Sequence, residues 1–204
     1  MRLGPVLCVI VVGAAGCAAP PPQEDVAAKA ALVMKQSFRD RGQAKLDRLD
    51  QDNTQRVCSA YDGKALPPDI AKRIEAENLA TVKWPTDGKY TGDWRNGERI
   101  AQEGRGKQYS DDPAGPTGGN CYACHQLSPK EISYGTIGPS LYQFGKTRGD
   151  TDETRRYAYG KVWNAEAYNA CSNMPRFGHN GILTEQQVKD VVSLLVDPAS
   201  PVNQ

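Results

Sequence analysis

The sequence predicts an all-α fold with long loops. Apolar residues recur at helical spacing in several segments, no stretch alternates convincingly with a period of two, and helix start and stop signals frame the clearest segments. The 204 residues include 20 Gly and 14 Pro, with 39% hydrophobic and 7% aromatic residues. That composition predicts one domain with an appendage, a modest core and much irregular chain. It also excludes a protein with several membrane spans. Lys+Arg number 25 and Asp+Glu 24, and Arg2 is the only charge among the first seventeen residues. A chain this neutral lacks the basic face that nucleic-acid binding demands.

The elements follow in order. Met1–Cys17 has a basic residue, Arg2, then an apolar run Val6–Val12 and a small-residue stretch Gly13–Ala19, the layout of a secretory signal peptide. Leu3–Ala19 falls short of the roughly 20 apolar residues of a spanning helix. Cys17 follows Ala14-Ala15-Gly16, where a lipidated cysteine would stand, although Ala14 is a poor match to the usual Leu. Ordinary cleavage near Ala15 or Ala19 is the alternative. Either way the mature chain is exported to the periplasm, where disulfides are admissible. Ala18–Gln23 is a Pro/Ala linker. Glu24–Asp50 is helix-prone, with Val26, Ala30, Val33 and Met34 at helical spacing. Pro67-Pro68-Asp69 starts a helix over Asp69–Leu79, and Lys83–Asp93 is loop. Asp93 caps a helix over Trp94–Glu103, ended by Gly104. Gly104–Asn120 is a long glycine- and proline-rich loop, of the kind that usually carries function. A short helix is expected over Cys121–Leu127, a glycine-broken loop over Gly135–Gly149, and helices over Asp152–Gly160 and Lys161–Ala170. The clearest helix is Glu185–Val196: Thr184 and Gln187 form a capping box, and Pro198 stops it.

The chemistry lies in Cys121-Tyr122-Ala123-Cys124-His125. C-x-x-C-H is the spacing of covalent haem c attachment. Two thiols one helical turn apart meet the haem vinyl groups, and the adjacent imidazole points at the iron from the same turn. A zinc site needs four ligands, and the remaining Cys58, Cys171 and His179 are scattered. A thioredoxin-like reading would need a βαβ setting, which is lacking. One motif means one haem. Its sixth iron ligand is expected from Met174, in an irregular stretch before the last helix, with His179 as the alternative. Two axial protein ligands leave no open iron position, so outer-sphere electron transfer is the expected function. Pro139, in Gly138-Pro139-Ser140-Leu141, is expected to accept the His125 ring N–H on its carbonyl. Trp94, Tyr142, Phe144, Trp163, Tyr168 and Phe177 are candidates for the haem wall or plain core. Arg148, Arg155, Arg156 and Arg176 are candidate propionate partners.

Two cysteines remain. A Cys58–Cys171 disulfide is the simple hypothesis for an exported chain; a bond to a partner chain and a free thiol stay open. Closed within the chain, a loop of more than about 100 residues would contribute on the order of 4–5 kcal/mol in the chain-entropy account.

CYACH, YGTIGPSL and MPRFGHNGILTEQQVKDVVSLLVDPASPVN together resemble the SoxX family, the single-haem cytochrome subunits of the bacterial sulfur-oxidation complex SoxAX. The stretch from Met174 to Asn203 is the specific part; C-x-x-C-H and G-P-x-L alone mark a class I cytochrome c. The resemblance implies an all-α class I cytochrome c domain over 93–204, behind a signal peptide over 1–17 and a partly helical, partner-wrapping extension over 18–92. It implies haem c on Cys121 and Cys124, with His125 and Met174 on the iron. It further implies a SoxA-like cytochrome partner in a heterodimer, the carrier SoxYZ as substrate, and a small cytochrome c as electron acceptor. In that setting the chain would be the non-catalytic, electron-transfer subunit of an L-cysteine S-thiosulfotransferase. A free-standing periplasmic shuttle is the competing expectation, and a haem enzyme or gas sensor with a dissociable Met174 is a third.

Overall fold

The computed structural model describes residues 23–204, with side chains from Val26 onward. The signal segment and Cys17 lie outside the described residues. The chain divides between Arg39 and Asp40 into two compact units. The first carries α1, Gln23–Ser37, in which Val26, Leu32, Val33 and Met34 are exposed.

The second unit, Asp40–Gln204, is helical throughout. It opens on a tight turn closed by a bridge between Arg41 and Ala44 and a 3-10 turn at Leu46–Leu49. Of the helix-prone stretch Glu24–Asp50, the first half is thus helix and the charged second half a turn. Next comes α2, Asn53–Tyr61, which the periodicity did not announce. It starts on a capping box between Asp52 and Gln55 and stops at Asp62, which takes left-handed backbone. α3 runs Pro68–Ala80 with proline in its first turn, where the missing N–H is harmless. α4, Trp94–Gln102, is capped by Asp93.

The expected helix over Cys121–Leu127 contracts to one 3-10 turn, Cys121–Ala123. The expected loop Gly135–Gly149 contains a short helix, α5, Phe144–Arg148. α6 runs Asp152–Trp163, past the expected stop at Gly160. The helix expected over Lys161–Ala170 is replaced by the end of α6 and a 3-10 turn at Ala165–Ala167. Asn164 makes the break. Its side chain accepts from Glu166 N–H and donates to Asn78 and Thr81, which draws the backbone out of helical register. α7, Glu185–Val196, has the expected bounds and the Thr184/Gln187 capping box. Among the described residues there is no sheet, and no helix is long and apolar enough to cross a membrane.

The core centres on α4 and α7, with α6 packed beside them: Ile100, Ala101, Tyr159, Val188, Val192 and Leu194 are all buried. α4 crosses α7 at Gly97. A Cβ there would lie 2.1 Å from the carbonyl oxygen of Asp190 and 3.1 Å from Leu194 Cβ, so the backbones touch. The buried Asp190 carboxylate is satisfied at the same crossing by Asp93 N–H, Asn96 Nδ2 and Gln186 Nε2. The C-terminal tail then folds back. Asn203, 1% exposed, donates to the carbonyls of Leu195 and Asp197 and accepts from Gly145 N–H, tying the end of α7 to α5.

Gly97→Ala puts a methyl group against backbone that has no free rotamer. It is expected to cost about 2 kcal/mol or more, as overpacking at a fixed contact does. Chemical denaturation measures this; an unchanged midpoint would show that the crossing is looser than described.

Candidate haem-attachment site

The loop after α4 returns to the helix it left. Gly118 N–H reaches Arg105 O, Gly119 N–H reaches Ile100 O and Asn120 N–H reaches Glu103 O, at 2.8–3.1 Å. This brings Cys121 beside the C-terminal end of α4. Asn120 takes left-handed backbone and turns the chain into the Cys121–Ala123 turn. Cys124 N–H and His125 N–H both donate to Cys121 O, at 3.1 and 2.9 Å. Tyr122 and Leu127 are buried and root the segment in the core. Cys121 and Cys124 are both free thiols, half-buried. Burial pushes the Cys121 thiol up to about 12, so it stays protonated at neutral pH.

A second stretch lies along the motif. Gly135 N–H donates to Tyr122 O, Gly138 N–H to Cys124 O and Leu141 N–H to Gln126 O, each at 2.8 Å. This stretch delivers Pro139, whose carbonyl oxygen is 2.7 Å from His125 Nδ1. A carbonyl can only accept, so Nδ1 carries the hydrogen. With Nδ1–H so engaged, Nε2 is the ring nitrogen left to ligate a metal. Gly138 lies flat against this imidazole: a Cβ would be 2.2 Å from His125 Cε1.

Met174 is half-buried and packs on the same core as Cys121, and Ser172 Oγ accepts its backbone N–H at 3.2 Å. Phe177, three residues on, comes close to the motif. A Cβ built on Gly119 would sit 3.4 Å from Cys121 Sγ and 3.5 Å from Phe177 Cε1. The other sequence candidates divide. His179 is exposed, with Nδ1 3.1 Å from Thr81 Oγ1. Although the residue as a whole is exposed, partial desolvation of its ring holds its pKa below the usual imidazole value, and the Arg176 charge adds to this. Trp163 and Phe177 are buried in the core, and Phe144 and Tyr168 pack on it. Tyr142 donates its hydroxyl to the Gln204 carbonyl, and Trp94 lies beneath the Arg95 guanidinium. Arg176 is buried between Asp52 and Glu166, and Arg155 pairs with Asp150 and Asp152. Arg156 bonds Tyr90 and stacks on Trp84; Arg148 stacks on Phe144 and Tyr157. Cys58 and Cys171 are joined in a disulfide, Cα–Cα 5.5 Å. They are not available to complete a zinc set with the motif.

The donor set suits a covalently held haem. Two free thiols share one turn with an imidazole whose tautomer is fixed. Trp163 Nε1, moreover, is buried without a hydrogen-bond partner, an N–H that a haem carboxylate would satisfy. The sequence offers Trp163 only as one of several haem-wall or core aromatics; the unpartnered burial of its indole N–H is a property of packing that no local signal carries. Gly138→Ala is expected to displace the imidazole and break its bond to Pro139. Nitrogen-15 NMR tests this: a slowly exchanging His125 Nδ1–H signal should be present in the parent and lost in the variant. A signal that persists would refute the contact.

The cytochrome c family profile matches residues 104–197. An uncharacterized lipoprotein of Aquifex aeolicus (strain VF5) is 39% identical over 160 residues, which cover 76% of this chain and 73% of that protein. A solved structure of SoxXA from P. pantotrophus shares 28% identity over 52% of this chain and 82% of that chain, with a TM-score of 0.37. The chain therefore belongs to one family with the Aquifex protein, and residues 104–197 are its cytochrome c-like electron-transfer domain.

Proposed function

We propose that this chain is an exported, single-haem class I cytochrome c that relays electrons one at a time. The carrying observation is the bond between His125 Nδ1 and the Pro139 carbonyl, beside two free thiols on one turn. Cys121 and Cys124 would hold the haem as thioethers. His125 Nε2 and the Met174 thioether would ligate its iron. A haem bound there supplies a one-electron ferric/ferrous couple. The chain's own residues do the rest. Pro139 fixes the ring plane of His125 and raises its basicity, as an acceptor on a ligating histidine does. Met174 would offer its thioether to the iron, a ligand that favours the reduced state. The core around Trp163 and Phe177 keeps water from the site. With His125 and Met174 both committed to the iron, the chemistry supplied would be electron transfer.

The free-standing shuttle of the periplasm is the form in which this activity needs nothing further. The family relationship to a lipoprotein supports a tether, which Cys17 supplies after the small residues Ala14-Ala15-Gly16. One acyl-bearing cysteine would hold the carrier at the membrane while Ala18–Pro22 spaces it away. The second reading is the electron-transfer subunit of a SoxAX-type complex, with a SoxA-like partner, SoxYZ as the complex's substrate and a small cytochrome c as acceptor. It rests on Met174–Asn203, the stretch that most resembles SoxX.

Met174→Ala is expected to abolish the far-red band of ferric iron bound to methionine sulfur and to open the ferrous protein to CO. A band that survives would remove Met174 from the iron. Gel filtration of the detergent-extracted native protein separates the two forms: a single-haem monomer supports the shuttle, and a stable second haem chain supports the subunit. Labelling with radioactive palmitate in the host is expected for the parent and lost in Cys17→Ala; an unlabelled parent would refute the tether.

A further inference from the structure

Met174 is bracketed by two fixed points, and both lead to the same helix. Three residues before it, Cys171 is disulfide-bonded to Cys58 in α2. Two residues after it, Arg176 reaches Asp52, the capping residue of α2. Arg176 is 7% exposed and also pairs with buried Glu166 at 3.2 Å. Cys171 holds left-handed backbone, φ 61°, a conformation that the bond to α2 helps to retain in a residue other than glycine.

α2 is in turn held from behind. Buried Asn78 of α3 donates to Thr54 of α2 at 3.0 Å, and Asn164 donates to Asn78 at 3.0 Å. Glu75 of α3 accepts from Ala170 N–H at 3.2 Å, one residue before the disulfide. The stretch Asp52–Ala80 thus grips both sides of the segment that offers the methionine. Around Met174 itself the backbone is irregular. Its other local restraint is the bond to Ser172, within the same turn.

We propose that α2 is a clamp that positions Met174, and that Cys58, Cys171, Asp52 and Arg176 are positioning residues for the sixth iron ligand. The inference rests on the reading of Met174 as that ligand. A thioether binds ferric iron weakly enough that local freedom competes with it, so restricting the segment raises the fraction of molecules in which the sulfur is bound. The N-terminal segment before the cytochrome c domain then acts on the redox centre through the stretch that carries Met174.

The test uses the full-length, haem-loaded protein in three forms: the parent, Cys58→Ser/Cys171→Ser, and Asp52→Asn. The double substitution leaves no odd thiol. Asparagine caps a helix as aspartate does, so Asp52→Asn removes the ion pair and keeps α2. The far-red methionine–iron band, CO binding by the ferrous protein and the reduction potential are read, with far-UV circular dichroism and the unfolding midpoint alongside. The parent is expected to show the band and resist CO. Both variants should keep their helix content, weaken the band, lower the potential and bind CO about tenfold more readily, as a smaller bound fraction requires. Variants that lose only stability, with band, potential and CO behaviour unchanged, would overturn the clamp and leave Met174 as ligand. A parent without the band would remove Met174 from the iron and the clamp with it. If the double variant does not accumulate, Asp52→Asn decides by the same readouts.

Discussion

The contact of α4 with α7 at Gly97 and Asp190 is the constraint from which the site hangs. The cysteine–histidine motif follows α4 through a loop that returns to the helix it left. The methionine segment leads directly into α7. The crossing thus fixes the helix that precedes the motif against the helix that follows Met174. At the crossing a backbone contact and one saturated carboxylate add to the apolar side chains packed around them. A glycine contact has no rotamers with which to relax, and a carboxylate with three donors has one arrangement. The C-terminal tail closes the same arrangement through Asn203, which binds carbonyls at the end of α7 and an amide at the start of α5.

At the motif the logic repeats on a smaller scale. A histidine that is to ligate metal must have one nitrogen occupied and the other free, and its ring must not rotate. The Pro139 carbonyl meets the first condition and the Gly138 backbone, flat against the ring, meets the second. The fixed geometry is held by three backbone bonds between the motif and the stretch that follows it, so it does not depend on any one side chain.

Much of this was legible in the sequence. α7 could be read to the residue because its signals are local: Thr184, Gln187 and an apolar stripe. The motif could be read because C-x-x-C-H is a spacing that chance rarely supplies. α2 was missed although its Asp52–Gln55 box is local too, because its apolar stripe is thin and its burial comes from contacts with α3. The break at Asn164 was missed because the side chains that draw it out of the helix, Asn78 and Thr81, are remote in sequence. The arginine candidates show the same limit. Arg176 carries no mark that distinguishes it from Arg148, yet it is buried in ion pairs and Arg148 lies over aromatic rings. The partner of Asp52 is 124 residues away, beyond any periodicity.

The segment before the cytochrome c domain gains a meaning from the fold. On composition it is too polar for a core of its own. In the structure its part from Asp40 onward belongs to the same compact unit as the motif, and it is covalently tied to the methionine segment. The central claim, a covalent haem held by Cys121 and Cys124, is tested most directly by intact mass of the exported protein under denaturing conditions. The account predicts the mature polypeptide plus one haem, retained after unfolding and lost when both cysteines are replaced. A mass equal to the polypeptide alone would contradict it.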